Sequence, residues 1–178
     1  EKTIIFCASD NHAILVQIEI NKLYKNWCRE NGFTPKDEYC FKCTASDKNP
    51  SSKDLIADFK ASKNSHFIAT AVDLLSTGVD IPNLNNVVFF KNISSPIIFY
   101  QMVGRGTRIG EPRGSKLFFR IVDYTNATRL FGEDFQSTEK NKIKNKKDDE
   151  KKERKFDILR IGSKNYNIEV INDGKSIL

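Results

Sequence analysis

The sequence predicts an α/β fold, with a doubly wound parallel sheet flanked by helices, then a charged tail and a small C-terminal β-hairpin. Three observations predict it. Short, nearly continuous apolar runs, such as Ile4-Ile5-Phe6-Cys7-Ala8 and Val87-Val88-Phe89-Phe90, suit strands buried on both faces. These runs alternate with segments of helical periodicity. Punctuation such as Asn31-Gly32 and Asp47-Lys48-Asn49-Pro50 separates the two kinds.

Residues 3–8 form the first strand. Ser9-Asp10 then offers a helix cap, and an amphipathic helix runs over about 11–30, with Ile14, Ile18, Leu23 and Trp27 among its apolar positions. Residues 38–44 read as a second strand. Ser51 and Ser52 can cap a helix carrying Leu55, Ile56 and Phe59. Residues 66–70 are a third strand, and 73–76 allow one helical turn. Thr77-Gly78-Val79-Asp80-Ile81-Pro82 is a turn-rich loop, residues 86–90 a fourth strand, and 116–123 a fifth. A short helix near 126–131 closes the compact domain, 1–135. Residues 136–155 form a charged linker. Residues 156–161 and 166–171 pair as a hairpin, a small appendage or the start of a further domain within 156–178.

A chain of 178 residues can bury a real core. No apolar run approaches the roughly 20 residues a membrane span needs. The chain starts without Met and without a signal peptide, at its first strand, and reads as a piece of a longer protein. Net charge is +6. Residues 139–155 hold nine Lys/Arg against five Asp/Glu, so much of the excess sits in the tail. That balance is compatible with nucleic acid without being diagnostic. Cys40 and Cys43 form a C-x-x-C, but no second pair or histidine pair completes a four-ligand zinc site. Cys7 and Cys28 read as small buried hydrophobes. No disulfide framework is evident, and a cytoplasmic location is expected. His12 and His66 each lack a partner histidine and read as surface residues.

The most informative stretch is Ser95-Pro96-Ile97-Ile98-Phe99-Tyr100-Gln101-Met102-Val103-Gly104-Arg105-Gly106-Thr107-Arg108. Ser95 can cap a helix, and Pro96 suits its first position. Gln101, Arg105 and Arg108 then share one face, while Phe99, Met102 and Val103 dock on the core. Guanidiniums are fixed cations with forked donors suited to phosphate oxygens. Gly104 and Gly106 each cost a helix about 1 kcal/mol relative to alanine. That cost makes sense where another backbone or a ligand comes close.

Ligands of doubly wound sheets collect beyond the C-terminal ends of strands. Ser9, Ser46, Thr70 and the arginine helix each follow a strand, and Gly78 and Asp80 lie in a loop on the same edge. By itself T-G-x-D is also an ordinary turn. No G-x-x-x-x-G-K-[ST] loop is present, and no strand ends in an acidic pair able to hold magnesium. Phosphate-directed arginines without a phosphate cradle fit one half of a two-half nucleotide site.

Ile4-Ile5-Phe6-Cys7, the block Ala69-Thr70-Ala71-Val72-Asp73-Leu74-Leu75-Ser76-Thr77-Gly78-Val79-Asp80-Ile81-Pro82, and Gln101-Met102-Val103-Gly104-Arg105-Gly106-Thr107-Arg108 resemble motifs IV, V and VI of superfamily 2 helicases, in order. The third matches that family's Q-x-x-G-R-x-x-R. The resemblance spans about residues 1–135 and implies the second RecA-like motor domain. Thr77 to Pro82, Gln101 to Arg108 and Phe119-Arg120-Ile121-Val122-Asp123-Tyr124 are most similar to the motor of the restriction (R) subunit of type I restriction enzymes. That resemblance implies an ATP-dependent motor on double-stranded DNA, with ATP and Mg2+ held mainly by a first RecA-like domain of the same polypeptide. It also implies modification and specificity subunits as partners, and no membrane.

Carried over by position, Arg105 and Arg108 would meet the γ-phosphate, and Gln101 would arrange them. Gly78 and Asp80 would lie at the nucleotide and the interdomain cleft. Thr70, Ser9 and Ser46 would touch DNA backbone phosphates. Many relatives carry a His-Gly and an arginine after strand two, where this chain has Thr44-Ala45-Ser46 and Lys53. Two other readings remain open. One is a DNA-binding or interaction module that keeps the fold without ATPase activity. The other is half of a different superfamily 2 repair or RNA helicase.

Overall fold

The computed structural model describes residues 1–36, 38–43, 57, 59, 67–73, 81, 84–106, 119–136, 157–161 and 164–172. Ser46, Gly78, Asp80 and Arg108 lie outside the described residues, as do Leu55, Ile56, His66 and nearly all of the charged linker.

Strand β1 (Lys2–Cys7) is the centre of the parallel sheet. β3 (Ile68–Ala71) runs along one side of it and β4 (Leu84–Phe90) along the other, so Ile4 is flanked by Ala69 and Val87. β2 (Cys40–Lys42) lies outside β3, and β5 (Phe119–Asp123) outside β4, all parallel. The two-residue period of the strands splits their apolar side chains into two layers. Ile4, Phe6, Ala69, Val87, Phe89, Phe119 and Ile121 face one way; Ile5, Cys7 and Val88 face the other. Each layer has its own cover. Helix α2 (Pro96–Gly106) brings Phe99, Met102 and Val103 to the first, joined by Phe59 and Phe131. Helix α1 (Asp10–Glu30) brings Ala13, Val16 and Ile20 to the second. The sheet is therefore doubly wound, as expected.

Helix α1 starts where its cap predicts. Ser9 Oγ accepts from the His12 N–H at 3.2 Å, and His12 Nδ1 accepts from the Ala8 N–H at 3.2 Å, a reciprocal pair at the helix entry. The apolar positions singled out in the sequence do not form its inward face. Ile14, Ile18, Leu23 and Trp27 are 38%, 53%, 64% and 53% exposed. Two fixed points rotate the helix. Ala13, 0% exposed, lets the helix approach the sheet closely. Asn21 pairs with the edge strand like a piece of backbone, donating to the Cys40 carbonyl at 2.8 Å and accepting from the Cys40 N–H at 2.9 Å. With Ala13 and Asn21 inward, Ile14, Ile18, Leu23 and Trp27 turn outward, where Trp27 stacks on Phe33 at 5.4 Å.

The hairpin forms from β7 (Asp157–Ile161) and β8 (Lys164–Asn172), antiparallel to each other. It is joined to the sheet. β8 runs parallel to β5, with Phe119 opposite Ile168, and β6 (Phe135–Gln136) pairs with β7. The whole sheet has eight strands, ordered β2-β3-β1-β4-β5-β8-β7-β6. The short helix expected at 126–131 is a 3-10 helix, Ala127–Asp134, interrupted at Gly132, whose φ of 55° is a left-handed value that glycine adopts without strain.

Cys7, Cys28, Cys40 and Cys43 are all free and buried. Burial pushes the Cys7 thiol up to about 11. Burial, with Cys7 and Glu38 adding to it, pushes Cys40 up to about 12. The thiolate is the reactive form, so these thiols should be inert. A thiol reagent at about pH 8 should label none of the four in the folded protein and all four after denaturation. Rapid native labelling of Cys40 would contradict this packing.

Candidate functional site

Helix α2 follows the C-terminal end of β4, and its entry matches the predicted cap. The Ser95 carbonyl accepts from the Phe99 N–H at 3.0 Å, and Ser95 Oγ lies 3.5 Å from the Ile98 N–H. Phe99, Met102 and Val103 are essentially fully buried, as expected. The Phe99 ring centre lies 5.4 Å from that of Phe89 and 4.8 Å from that of Phe131. With that side seated, the opposite side must face out. Ile97 is 72% exposed, and Ile98 and Gln101 are exposed beside it. At about 100° per residue, Gly104 and Arg105 continue the same face. A Cβ added at Gly104 would meet nothing within 4 Å among the described residues. The packing of the described residues therefore does not require glycine there.

The segment after β5 holds α2 in place, and its anchor is Asp123, buried at the end of β5. Its carboxylate accepts from the Thr125 and Ala127 N–H groups, both at 3.0 Å, and from the Thr128 N–H at 2.7 Å and Thr128 hydroxyl at 2.8 Å. Burial alone would raise its pKa. The bonds from Thr128, Thr125 and Ala127 outweigh burial and hold the carboxyl below its ordinary range. From this anchor the chain reaches first the segment leading into α2 and then α2 itself. The Thr125 hydroxyl donates to the Lys91 carbonyl at 3.0 Å, and the Arg129 guanidinium to the Ile93 carbonyl at 2.9 Å and the Asn126 carbonyl at 2.6 Å. One turn into α2, the Tyr100 hydroxyl donates to the Phe131 carbonyl at 3.1 Å. The spacing of Asp123, Thr125 and Thr128 is the available sequence signal for such a carboxylate-centred turn; Tyr100 and Arg129 carry none.

Two other candidates lie within the described residues. Ser9 is exposed at the cap of α1, the helix that covers the sheet face opposite α2. Thr70 does not reach a surface. β3 runs one residue further than expected, to Ala71, which places Thr70 inside the sheet at 0% exposure. Its hydroxyl lies 3.5 Å from the Phe41 carbonyl, and its own carbonyl accepts from the Cys43 N–H at 2.7 Å. A Thr70 side-chain contact to DNA is incompatible with this burial. At the C-terminal strand edge the His12 ring stacks on Phe90 at 6.2 Å, and Tyr124 meets Phe90 edge-on at 4.7 Å.

The helicase conserved C-terminal domain family matches residues 1–110. The chain belongs to this family. The helicase C-terminal domain is 36% identical over 135 residues to the endonuclease subunit of the type I restriction enzyme EcoAI from Escherichia coli, covering 75% of this chain and 16% of that protein. It is 33% identical over 125 residues to the EcoKI endonuclease subunit of Escherichia coli strain K12, covering 69% of this chain and 10% of the relative. A fragment structure assigned to the HsdR subunit of a type I restriction enzyme from Vibrio vulnificus YJ016 superposes with a TM-score of 0.60 at 36% identity, over 74% of this chain and 24% of that one. The C-terminal part of the Fun30 ATPase domain shares the fold, with a TM-score of 0.52 at 18% identity, over 73% of this chain and 38% of that one. These likenesses match the expected RecA-like second motor domain and its similarity to type I R subunits.

Asp123 gives the domain a defined acid sensitivity. Its folded-state pKa is below the unfolded value of about 3.9, so its stabilisation is complete above that value and is lost as pH falls through the folded one. Asp123→Asn should cost about 2–3 kcal/mol at neutral pH and flatten the loss of stability below about pH 4. Thermal melts as a function of pH measure both effects. An unchanged acid slope would show that other carboxylates govern it.

Proposed function

We propose that this domain is the second half of an ATP-driven DNA translocase motor in the R subunit of a type I restriction enzyme. In that reading α2 faces a nucleotide held by a first RecA-like domain of the same polypeptide. Arg105 and Arg108 neutralise charge developing on the transferred γ-phosphate, and Gln101 orients them. Gly78 and Asp80 adjoin the nucleotide, whose Mg2+ is held by the other half. Ser9 and Ser46 contact backbone phosphates of double-stranded DNA, which positions the duplex without reading sequence. Modification and specificity subunits complete the assembly, in the cytoplasm.

The observation that carries the reading is the outward face of α2. It sets exposed Ile97, Ile98 and Gln101 in line with Gly104 and Arg105, and nothing described in this chain fills the space at Gly104. A glycine that costs helix stability and that the described core does not require, beside exposed apolar side chains, supports a face that a second body covers. A partner on this face also explains why a chain without a phosphate-cradling loop keeps phosphate-directed arginines.

In the full-length subunit, Arg105→Ala should lower DNA-stimulated ATP turnover by about 10³-fold or more, the usual worth of such an arginine, with the fold intact by circular dichroism. The isolated domain should hydrolyse no ATP and should bind DNA weakly, with affinity falling steeply as salt rises. Robust hydrolysis by the isolated domain, or unchanged turnover in Arg105→Ala, would refute the two-half site.

A further inference from the structure

We propose that the segment from Asp123 to Phe131 is a strut that fixes the orientation of α2, with Asp123 and Tyr100 as positioning residues for Gln101 and Arg105. The proposal rests on the phosphate-facing reading of α2 given above.

The geometry supports it at three levels. At its origin the strut is rigid. Four donors converge on one buried carboxylate, and two of them belong to Thr128 alone. In the middle it grips the chain leading into α2 through Lys91 and Ile93, two positions that no regular secondary structure holds. At its far end Phe131 meets α2 from two directions. Its ring packs edge-on against Phe99 at 4.8 Å, and its carbonyl accepts the Tyr100 hydroxyl at 3.1 Å. Packing of Phe99, Met102 and Val103 holds α2 to the sheet, yet apolar contact is non-directional and permits a helix to roll about its axis. The Tyr100 hydrogen bond is directional. It lies one residue before Gln101, so a roll that moved Gln101 and Arg105 would break it.

Arginines that act on a transferring phosphoryl group work only when already oriented, because their worth lies in pre-positioned charge. The strut supplies that orientation from within this domain, independently of how the nucleotide is held. Loss of the strut should therefore lower kcat and leave KM for ATP unchanged.

In the full-length subunit, Tyr100→Phe removes only the hydroxyl and keeps the ring. The expected result is a kcat for ATP lower by about fivefold, the rate equivalent of one hydrogen bond, with KM unchanged and the melting temperature lower by no more than about 4 °C. Asp123→Asn disconnects the strut at its origin. It should lower kcat by about 10²-fold, as for a displacement of about 1 Å, and also lower the melting temperature. Arg105→Ala is the reference, and adding Tyr100→Phe to it should have no further effect on turnover. If Arg105→Ala abolishes turnover while Tyr100→Phe keeps full kcat, the strut is overturned and the arginine reading stands. If Tyr100→Phe lowers only the melting temperature, the contact is merely structural and the proposal fails. If Arg105→Ala retains turnover, the reading of α2 fails first and takes the strut with it.

Discussion

A parallel sheet cannot leave either face in water, and most of this domain follows from that constraint. β1 runs through the middle with Ile4 and Phe6 on one side and Ile5 and Cys7 on the other, all buried. Both sides need a helix. The chain places α1 over one and α2 over the other, and the crossovers this requires put helix entries at the C-terminal strand edge. Once Phe99, Met102 and Val103 are committed to the core, the rest of α2 can only face outward. The exposed position of Gln101 is thus a consequence of covering β1, β4 and β5.

How much of this was legible in the sequence depends on how many faces an element offers. α2 is legible because its apolar and polar residues fall into two sectors, and Ser95-Pro96 marks its start. α1 is not. Ile14, Leu15, Val16, Ile18, Ile20, Leu23 and Trp27 surround its axis, and periodicity cannot say which of them turn inward. The inward side is chosen by tertiary contacts, the fit of Ala13 and the pairing of Asn21 with Cys40, that a one-dimensional pattern does not encode. Thr70 fails for a related reason. Thr70, expected as the last residue of its strand, is enclosed because β3 continues to Ala71, and boundaries are the least legible feature of a strand. The hairpin is readable as a hairpin, but its pairing with β5 joins positions about fifty residues apart, which local pattern cannot reach.

The candidate site divides the same way. Gln101, Arg105 and Arg108 are carried by a contiguous motif, and the face shared by Gln101 and Arg105 follows from helix geometry alone. Their support is discontinuous. Thr125, Arg129 and Phe131 come from after β5, anchored on Asp123 at its end, and they meet Lys91, Ile93 and Tyr100 only because β5 lies beside β4. Buried polar groups of this kind must be satisfied wherever they fall, and a carboxylate with several donors is a rigid node whose cost of disruption is high. The sequence therefore displays the working end of α2 more clearly than the part that holds it still.

Separating the arginines from the phosphate cradle has a physical logic on the proposed reading. Two unit charges about 4 Å apart gain only about 1 kcal/mol in water and several times more once a closing cleft excludes it. Arginines on an open surface are therefore nearly neutral toward nucleotide, and become effective only when two domains meet. Chemistry is then tied to closure, which is what couples a hydrolysis step to a movement. The coupling demands that the arginines arrive already oriented, because a side chain that must search for its place after closure forfeits the gain from pre-positioned charge. A helix seated by apolar packing and stopped from rolling by the Tyr100 bond to Phe131 meets that demand, and a loop free to move on either side of it would not.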